Sequence, residues 1–284
     1  ISKESYVVVN EDTCLAKSLI KYVEEHDISK YFITPQEALD KMTGDTMLIV
    51  VDTHNSEIVD SKDVLDAAKE VVVIDHHRRM VKTIENPALF FHDPNCSSAC
   101  EMVAELLQYF DNGIKLTPLH AEALLSGIML DTKNFIMRTG VKTFEAAAFL
   151  RSVGADTVKV KKLFANSIET YQEKSALITK AEIYRKCAVS CTTESFSNIR
   201  IAASQAADEM LGITGVNAAF VIYGDDNNAN ISARSMGAYN VQVLMEALGG
   251  GGHQTMAATQ LKVSVSEAKK LLYETIDEYI RNNS

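Results

Sequence analysis

The sequence predicts an α/β protein in which a parallel-sheet domain flanked by helices is followed by a smaller mixed α/β unit. Three observations lead there. Short continuous apolar runs, Met47 to Val51 and Val71 to Ile74, alternate with stretches of helical period in the first half. After Asn95 the pattern becomes mostly helical, and from about Tyr184 strand-like runs return. With 284 residues, 46% of them apolar, the chain is long enough for two compact cores; 13 Gly and 4 Pro give no fibrous or low-complexity signature.

In chain order, Tyr6 to Val9 reads as a strand, and Leu15, Leu19, Ile20 and Val23 recur at helical spacing. Met47 to Val51 and Val71 to Ile74 read as strands buried on both faces. Helical patterns follow at Cys100 to Phe110, Pro118 to Leu130, Thr143 to Val153 and about Asp156 to Tyr184. Ala188 to Cys191, Ile199 to Ala203, Ala218 to Tyr223 and Ala229 to Ala233 read as strands, with helices at Asn240 to Leu248 and Ser266 to Ile280. The expected organisation is a first domain over 1–155, a bridging helical linker over 156–183 and a second domain over 184–284. Lys159, Lys161 and Lys162 on the bridge read as a solvated face, not as a nucleic-acid patch.

Charge narrows the function classes. Lys and Arg number 28 against 38 Asp and Glu, a net charge of −10, so the overall field repels long nucleic acids. A small anionic ligand, or one met through a bound metal, stays compatible. Five scattered cysteines do not make a disulfide framework, so a reducing compartment, the cytosol, is expected. Cys96/Cys100 and Cys187/Cys191 have a spacing that invites a zinc reading, but burial as small apolar residues explains both pairs more simply. No apolar run approaches the roughly 20 residues that span a bilayer, so a soluble chain is expected. The sequence begins at Ile1 without a methionine and enters a strand almost at once, so we expect a piece of a longer protein.

Two apolar strands end in acid: Ile49-Val50-Val51-Asp52 and Val72-Val73-Ile74-Asp75-His76-His77. The carboxyl ends of parallel strands are where open α/β sheets bind ligands, so Asp52, Asp75, His76 and His77 are expected in one crevice. Asp52 alone could equally cap a helix. Adjacent imidazoles after a buried strand have little packing rationale, and with carboxylates they suit manganese, iron, zinc or, less readily, magnesium. Asp131 closes an apolar helix, where the macrodipole disfavours a carboxylate; a metal, or a salt bridge to Lys133 or Arg138, would compensate it. In the second half, Gly249-Gly250-Gly251-Gly252-His253 follows an amphipathic helix, and four glycines exceed what one helix cap needs. Such a loop offers backbone N–H groups to phosphate oxygens, with His253 as a further donor. Arg234, in Ser232-Ala233-Arg234-Ser235, is a second candidate anion contact.

Asp75-His76-His77 with Asp52, Asp131 and the glycine run resembles the DHH phosphoesterase superfamily with its DHH-associated C-terminal domain, over essentially the whole chain. Gly127 to Phe135, Arg138-Thr139-Gly140, Gly249 to Gln254 and Ala257 to Gln260 are similar to the GdpP-type cyclic-di-AMP phosphodiesterases. The resemblance implies two Mn2+ ions, with Asp52 bridging them and His76 and Asp131 completing one metal's protein shell. It implies that His77 faces the phosphate, that Asp75 holds the imidazoles, and that Arg234, Gly250, Gly251, Gly252 and His253 bind nucleotide across an interdomain cleft. Ser97 and Ser98 match a serine-containing stretch near the family's site. The implied reaction is metal-dependent hydrolysis of cyclic di-AMP to linear pApA, in second-messenger signalling. The implied setting is a bacterial, membrane-anchored parent with a PAS-like sensor, a degenerate cyclase-like domain and its catalytic part in the cytosol. A homodimer is compatible.

The sequence departs from the family at one place. The family's opening His-x-x-x-Asp-x-Asp loop, which supplies the other metal ligands, does not occur in it and is expected upstream of Ile1. Two rivals stay beside the cyclic-dinucleotide reading: an exonuclease or oligoribonuclease acting on short linear strands, and a catalytically incomplete cyclic-dinucleotide-binding domain.

Overall fold

In the computed structural model, residues 4–10, 14, 16–27, 31–79, 82–109 and 116–283 are described. Leu15 and Phe110, at the ends of two expected helices, lie outside them. The chain divides into two compact units, Ile1–Ala165 and Asn166–Ser284.

The first unit runs β1 (Val7–Val8), α1 (Lys17–His26), β2 (Phe32–Ile33), α2 (Pro35–Lys41), β3 (Met47–Val51), α3 (Lys62–Ala67), β4 (Glu70–Asp75), β5 (Leu89–His92), α4 (Ala99–Tyr109), α5 (Pro118–Asp131), α6 (Val141–Val153) and α7 (Thr157–Leu163). Among the described residues every strand pairing in this unit is parallel: β1 with β2, and β3-β4-β5 in that order. Helix starts follow the local chemistry. Thr34 and Glu37 cap α2 reciprocally with Pro35 in the first turn, and Thr117 with Pro118 opens α5. The α4–α7 layer closes on Ala104, Ala121, Leu125, Ile128, Ala146, Leu150 and Val160.

The β3 strand corrects one expectation. Leu48 and Val50 turn toward Leu65, Val73 and Ile84, but Met47, Ile49 and Val51 on the other face are 50%, 54% and 52% exposed. On that face α4 and the turn before it cover β4 and β5, through Met102 and Cys96 against Ile74 and Phe91, and stop short of β3. The expected single helix over 156–184 is also corrected: α7 ends at Leu163 and packs Val160 in the first unit, while the next helix belongs to the second.

The second unit comprises α8 (Ile168–Thr179), β6 (Glu182–Tyr184), β7 (Cys187–Thr192), α9 (Ile199–Met210), β8 (Ala218–Gly224), β9 (Ala229–Ser235), α10 (Val241–Ala247), β10 (Gly251–His253), β11 (Met256–Leu261) and α11 (Val265–Asn282). Its mixed sheet has the order β10-β11-β9-β8-β7-β6. Ile199 to Ala203, expected as a strand, begins helix α9. The five-residue apolar run is ambiguous by itself, and the period that decides it, Ala202, Ala203, Ala206, Ala207 and Met210, appears only over the longer window. One face of the sheet is sealed by α10 and α11 over Phe220, Ile222, Ile231, Ala233 and Ala257. On the other, α8 and α9 cover Ala188, Ala219 and Val221. Beyond β8 that face continues as Asn230, Ser232 and Arg234 on β9, in register with Gln260, Ala258 and Met256 on β11. Strand alternation thus leaves a polar strip beside the helical layer.

Candidate functional site

In the first unit, chemistry collects at the carboxyl ends of the parallel strands. Asp52 follows β3, Asp75 ends β4 with His76 and His77 behind it, and His92 ends β5. His76 Nε2 lies 3.2 Å from Asp52 Oδ1 and 3.8 Å from Asp131 Oδ2. His76 Nδ1 donates to the Cys96 carbonyl at 3.2 Å, which turns Nε2 toward the carboxylates. One ligand atom from each of Asp52, His76 and His77 lies within 4.8 Å of the others.

Backbone strain surrounds the two carboxylates. Asp52 has φ 65°, and beyond Asp131 the residues Lys133, Asn134 and Phe135 have φ 49°, 57° and 64°. Left-handed conformations cost non-glycine residues about 1–2 kcal/mol each. Local bonds hold them: Asp52 N donates to Ile74 O at 2.9 Å, and Thr132 Oγ1 donates to Ile128 O at 2.7 Å while accepting from Phe135 N at 3.0 Å. Strain of this kind gathers where placement of a side chain matters more than local comfort.

The electrostatics are dominated by the two neighbouring carboxylates. Burial, then repulsion from Asp52, raises the Asp131 carboxyl above the ordinary range. Around Asp75, burial is the largest single influence and opposes ionisation, but hydrogen bonds from His77 and His54 outweigh it and hold the carboxyl well below the ordinary range. The hydrogen bond to Asp75 raises His77 in turn, with Asp52 and Asp131 adding to it. The donor set fits a divalent cation: Asp52 and Asp131 each approach His76 Nε2, although Asp131 does not join the group of Asp52, His76 and His77 whose ligand atoms lie within 4.8 Å of one another, and a cation would relieve the repulsion between the acids. His77 Nδ1 is engaged with Asp75 Oδ1 at 2.8 Å, so that nitrogen is occupied.

A second buried cluster, His54, Asp75 and His92, brings its ligand atoms equally close. It is satisfied as hydrogen bonds: His54 Nδ1 bonds Asp75 Oδ2, and His92 Nε2 donates to His77 O at 2.6 Å. Sequence reasoning missed both histidines. His54 stands two residues after Asp52, and His92 obeys the strand-end rule that singled out Asp75.

Ser97 and Ser98 lie beside Cys96, hence near His76, but are buried and engaged in opening α4. Ser98 Oγ accepts from Glu101 N at 3.0 Å, and Ser97 Oγ donates to Glu101 Oε2. Their hydroxyls therefore serve the helix start.

In the second unit, the polar strip floors a groove of about 750 Å³ lined by Arg200, Ser204, Tyr223, Asn230, Arg234, Gly250 to Gly252 and neighbouring β11 residues. Arg234 is 10% exposed and bound within the protein: Nη1 donates to Ala233 O at 2.9 Å, Nη2 bonds Ser204 Oγ, and Nε pairs with Asp208 Oδ1 at 3.2 Å. Arg200, exposed on α9, is the freer cation on this groove, and the sequence reading missed it along with Ser204, Tyr223 and Asn230. His253 is exposed at the end of β10 and is not among the groove-lining residues. The glycines divide. A Cβ at Gly250 would stand 2.2 Å from Ala258 O, and at Gly252, with φ 148°, 2.5 Å from Ala257 Cα. The backbone that approaches them is β11 itself. At Gly251 a Cβ would meet nothing within 4 Å, so the fold does not require glycine there.

Two family profiles match this chain: the DHH family N-terminal domain over residues 7–128 and the DHHA1 domain over 186–282. The chain therefore carries a DHH family N-terminal domain followed by a DHHA1 domain. Its relatives include the cyclic-di-AMP phosphodiesterase PdeA of Listeria monocytogenes, 44% identical over 98% of this chain and 43% of the relative, and the cyclic-di-AMP phosphodiesterase GdpP of Bacillus subtilis, 41% identical over the same shares. The chain thus spans less than half the length of these relatives. An exopolyphosphatase-related protein from Bacteroides fragilis has the same fold, with TM-score 0.75 at 18% identity over 96% of this chain and 90% of that one. The shared fold therefore extends over both units. No helix among the described residues is long and apolar enough to cross a membrane.

Proposed function

We propose that this chain is the catalytic part of a metal-dependent phosphodiesterase that hydrolyses cyclic di-AMP to linear pApA, with Mn2+ held by Asp52, His76 and Asp131. The observation that carries this reading is the approach of His76 Nε2 to two carboxylates, 3.2 Å from Asp52 and 3.8 Å from Asp131. The named activity of the PdeA and GdpP relatives supports the substrate.

Hydrolysis adds water across a P–O3′ bond: a water oxygen bonds to phosphorus, and the 3′-oxygen leaves carrying a proton. A divalent cation, when bound, supplies Lewis-acid chemistry, making hydroxide available near neutral pH and offsetting charge on the phosphoryl oxygens. The chain's residues do the rest. Asp75 commits His77 Nδ1, so His77, 40% exposed at its side chain, offers its other nitrogen to a phosphoryl oxygen as negative charge grows. Asp75 also fixes where that ring stands, which spares orientation in the reacting complex. In the groove of the second unit, Arg200 and the Gly251 backbone are the groups assigned to the nucleotide, with Tyr223 as a flat surface for a base. In this reading the catalytic part sits in the cytosol of a membrane-anchored parent.

The test is to supply Mn2+ to metal-stripped full-length protein, present cyclic di-AMP beside pApA, and follow both by chromatography. We expect Mn2+-dependent conversion of the cyclic compound with pApA accumulating. Rapid loss of pApA with cyclic di-AMP untouched would overturn the substrate and favour a nuclease of short linear strands; binding without turnover would favour a binding domain.

A further inference from the structure

We propose that His54 is a positioning residue for His77, acting through the Asp75 carboxylate; this rests on the reading of His77 as the phosphate-facing imidazole. His54 is 1% exposed and Asp75 fully buried. The two oxygens of Asp75 have different partners: Oδ2 takes His54 Nδ1, while Oδ1 takes His77 Nδ1 at 2.8 Å and His77 N at 3.2 Å. An ionised carboxylate only accepts, so both Nδ1 atoms carry the bonding protons. The terminal torsion of aspartate is broad, and a carboxylate tied on one oxygen can still swing its plane. A second donor on the other oxygen removes that freedom, and with it the freedom of the His77 ring.

The surroundings make His54 a stiff anchor. Its ring stands edge-on to Phe90 at 6.1 Å and to His92 at 5.4 Å, and those two rings stack at 5.2 Å. Its carbonyl accepts Ile84 N at 2.8 Å, which fixes the loop after Asp52. His92 adds a second hold by donating to the His77 carbonyl at 2.6 Å. His77 is thus held by its ring through Asp75 and by its backbone through His92. Packing alone would favour an apolar residue at position 54, since a buried imidazole is costly unless its polar atoms are bonded.

The test compares His54→Asn with His54→Leu in Mn2+-loaded full-length protein. Asn and Leu have nearly the same shape, but only Asn keeps an N–H where Nδ1 stood. We expect His54→Leu to lower kcat on cyclic di-AMP by about 10–100-fold, the scale on which outer hydrogen-bond partners act, with KM and Mn2+ affinity nearly unchanged. His54→Asn should recover most of the loss. Equal impairment of the two variants, or a loss confined to KM or to Mn2+ affinity, overturns the proposal. Should His54→Leu not fold, His54→Gln, whose amide reaches past the Nδ1 position, replaces it in the comparison.

A readout independent of turnover is the imidazole 15N spectrum of His77 in the metal-free protein. The Nδ1–H form should dominate in wild type and in His54→Asn and become mixed in His54→Leu; an unchanged spectrum in all three counts against the proposal. If wild-type protein leaves cyclic di-AMP intact, the substrate reading fails, and the 15N comparison still decides the role of His54.

Discussion

The two units arrange their charged groups in opposite ways. At the strand ends of the first, charges are left in conflict: Asp52 and Asp131 both approach one imidazole, and burial, then repulsion from Asp52, raises the Asp131 carboxyl above the ordinary range. In the groove of the second, the buried charge of Arg234 is paired with Asp208, and its two terminal nitrogens bond Ser204 and its own neighbour's carbonyl. The strand-end cluster sets carboxylate against carboxylate, whereas in the groove the buried guanidinium faces Asp208 as an ion pair, its Nε making no hydrogen bond. Chemistry should therefore be lost by touching the first, and affinity by touching the second.

The largest effect should come from His76→Ala. Losing the imidazole between the acids should reduce kcat by at least about 100-fold, the scale of one lost electrostatic contact to a transition state, and should abolish Mn2+-induced thermal stabilisation. Fluorescence binding of a labelled cyclic dinucleotide by the groove should change little. A variant that loses binding and keeps turnover would erase the distinction between the units.

The glycine series sharpens it. Gly250→Ala and Gly252→Ala should lower unfolding stability by about 1–3 kcal/mol, because Ala258 or Ala257 of β11 must move. Gly251→Ala should stay within about 0.5 kcal/mol of wild type in denaturant melts, as an open-space substitution does, and raise KM with kcat unchanged. Equal destabilisation by all three would mean that the loop serves only the sheet.

Asp131 gives a prediction with a definite sign. Its carboxyl titrates higher in the folded protein than in the unfolded chain, so its contribution to stability is present below the unfolded pKa and lost as pH rises through the folded one. At neutral pH the metal-free protein should therefore melt slightly higher as Asp131→Asn than as wild type. With Mn2+ the order should reverse, because only the carboxylate gains from the cation. Differential scanning calorimetry with and without Mn2+ reads both arms.

The smallest effect concerns thiols. Burial pushes Cys96, Cys100 and Cys187 up to about 12 and Cys191 to about 11. At pH 8 iodoacetamide should leave these four largely unmodified in the native protein, as peptide mass spectrometry would report. Fast labelling of Cys100, which lies close enough to Asp131 and Asp52 to feel both charges, would show the strand-end cluster opening.

The strand-end chemistry was legible because its signal is local: an apolar run followed at once by Asp or Asp-His-His. The supporting histidines were not. The β5 strand is four residues long and flanked by Pro87 and Pro94, so His92 never registered as a strand end. The groove was half legible. The alternation of Asn230, Ser232 and Arg234 with buried Ala229, Ile231 and Ala233 was present in the sequence, but reading Ile199 to Ala203 as a strand removed the helix that carries Arg200 and Ser204 to the rim. The glycine run showed that a backbone comes close without showing which one, and for Gly250 and Gly252 it is the neighbouring strand.

The most direct measurement is Mn2+ binding by full-length protein, followed by the loss of free-ion electron paramagnetic resonance signal, in wild type and in Asp52→Asn, His76→Ala and Asp131→Asn. Saturable binding in wild type, weakened in all three variants together with cyclic di-AMP hydrolysis, is the predicted result. Undiminished Mn2+ uptake in the variants would contradict the assignment of these three side chains to the cation.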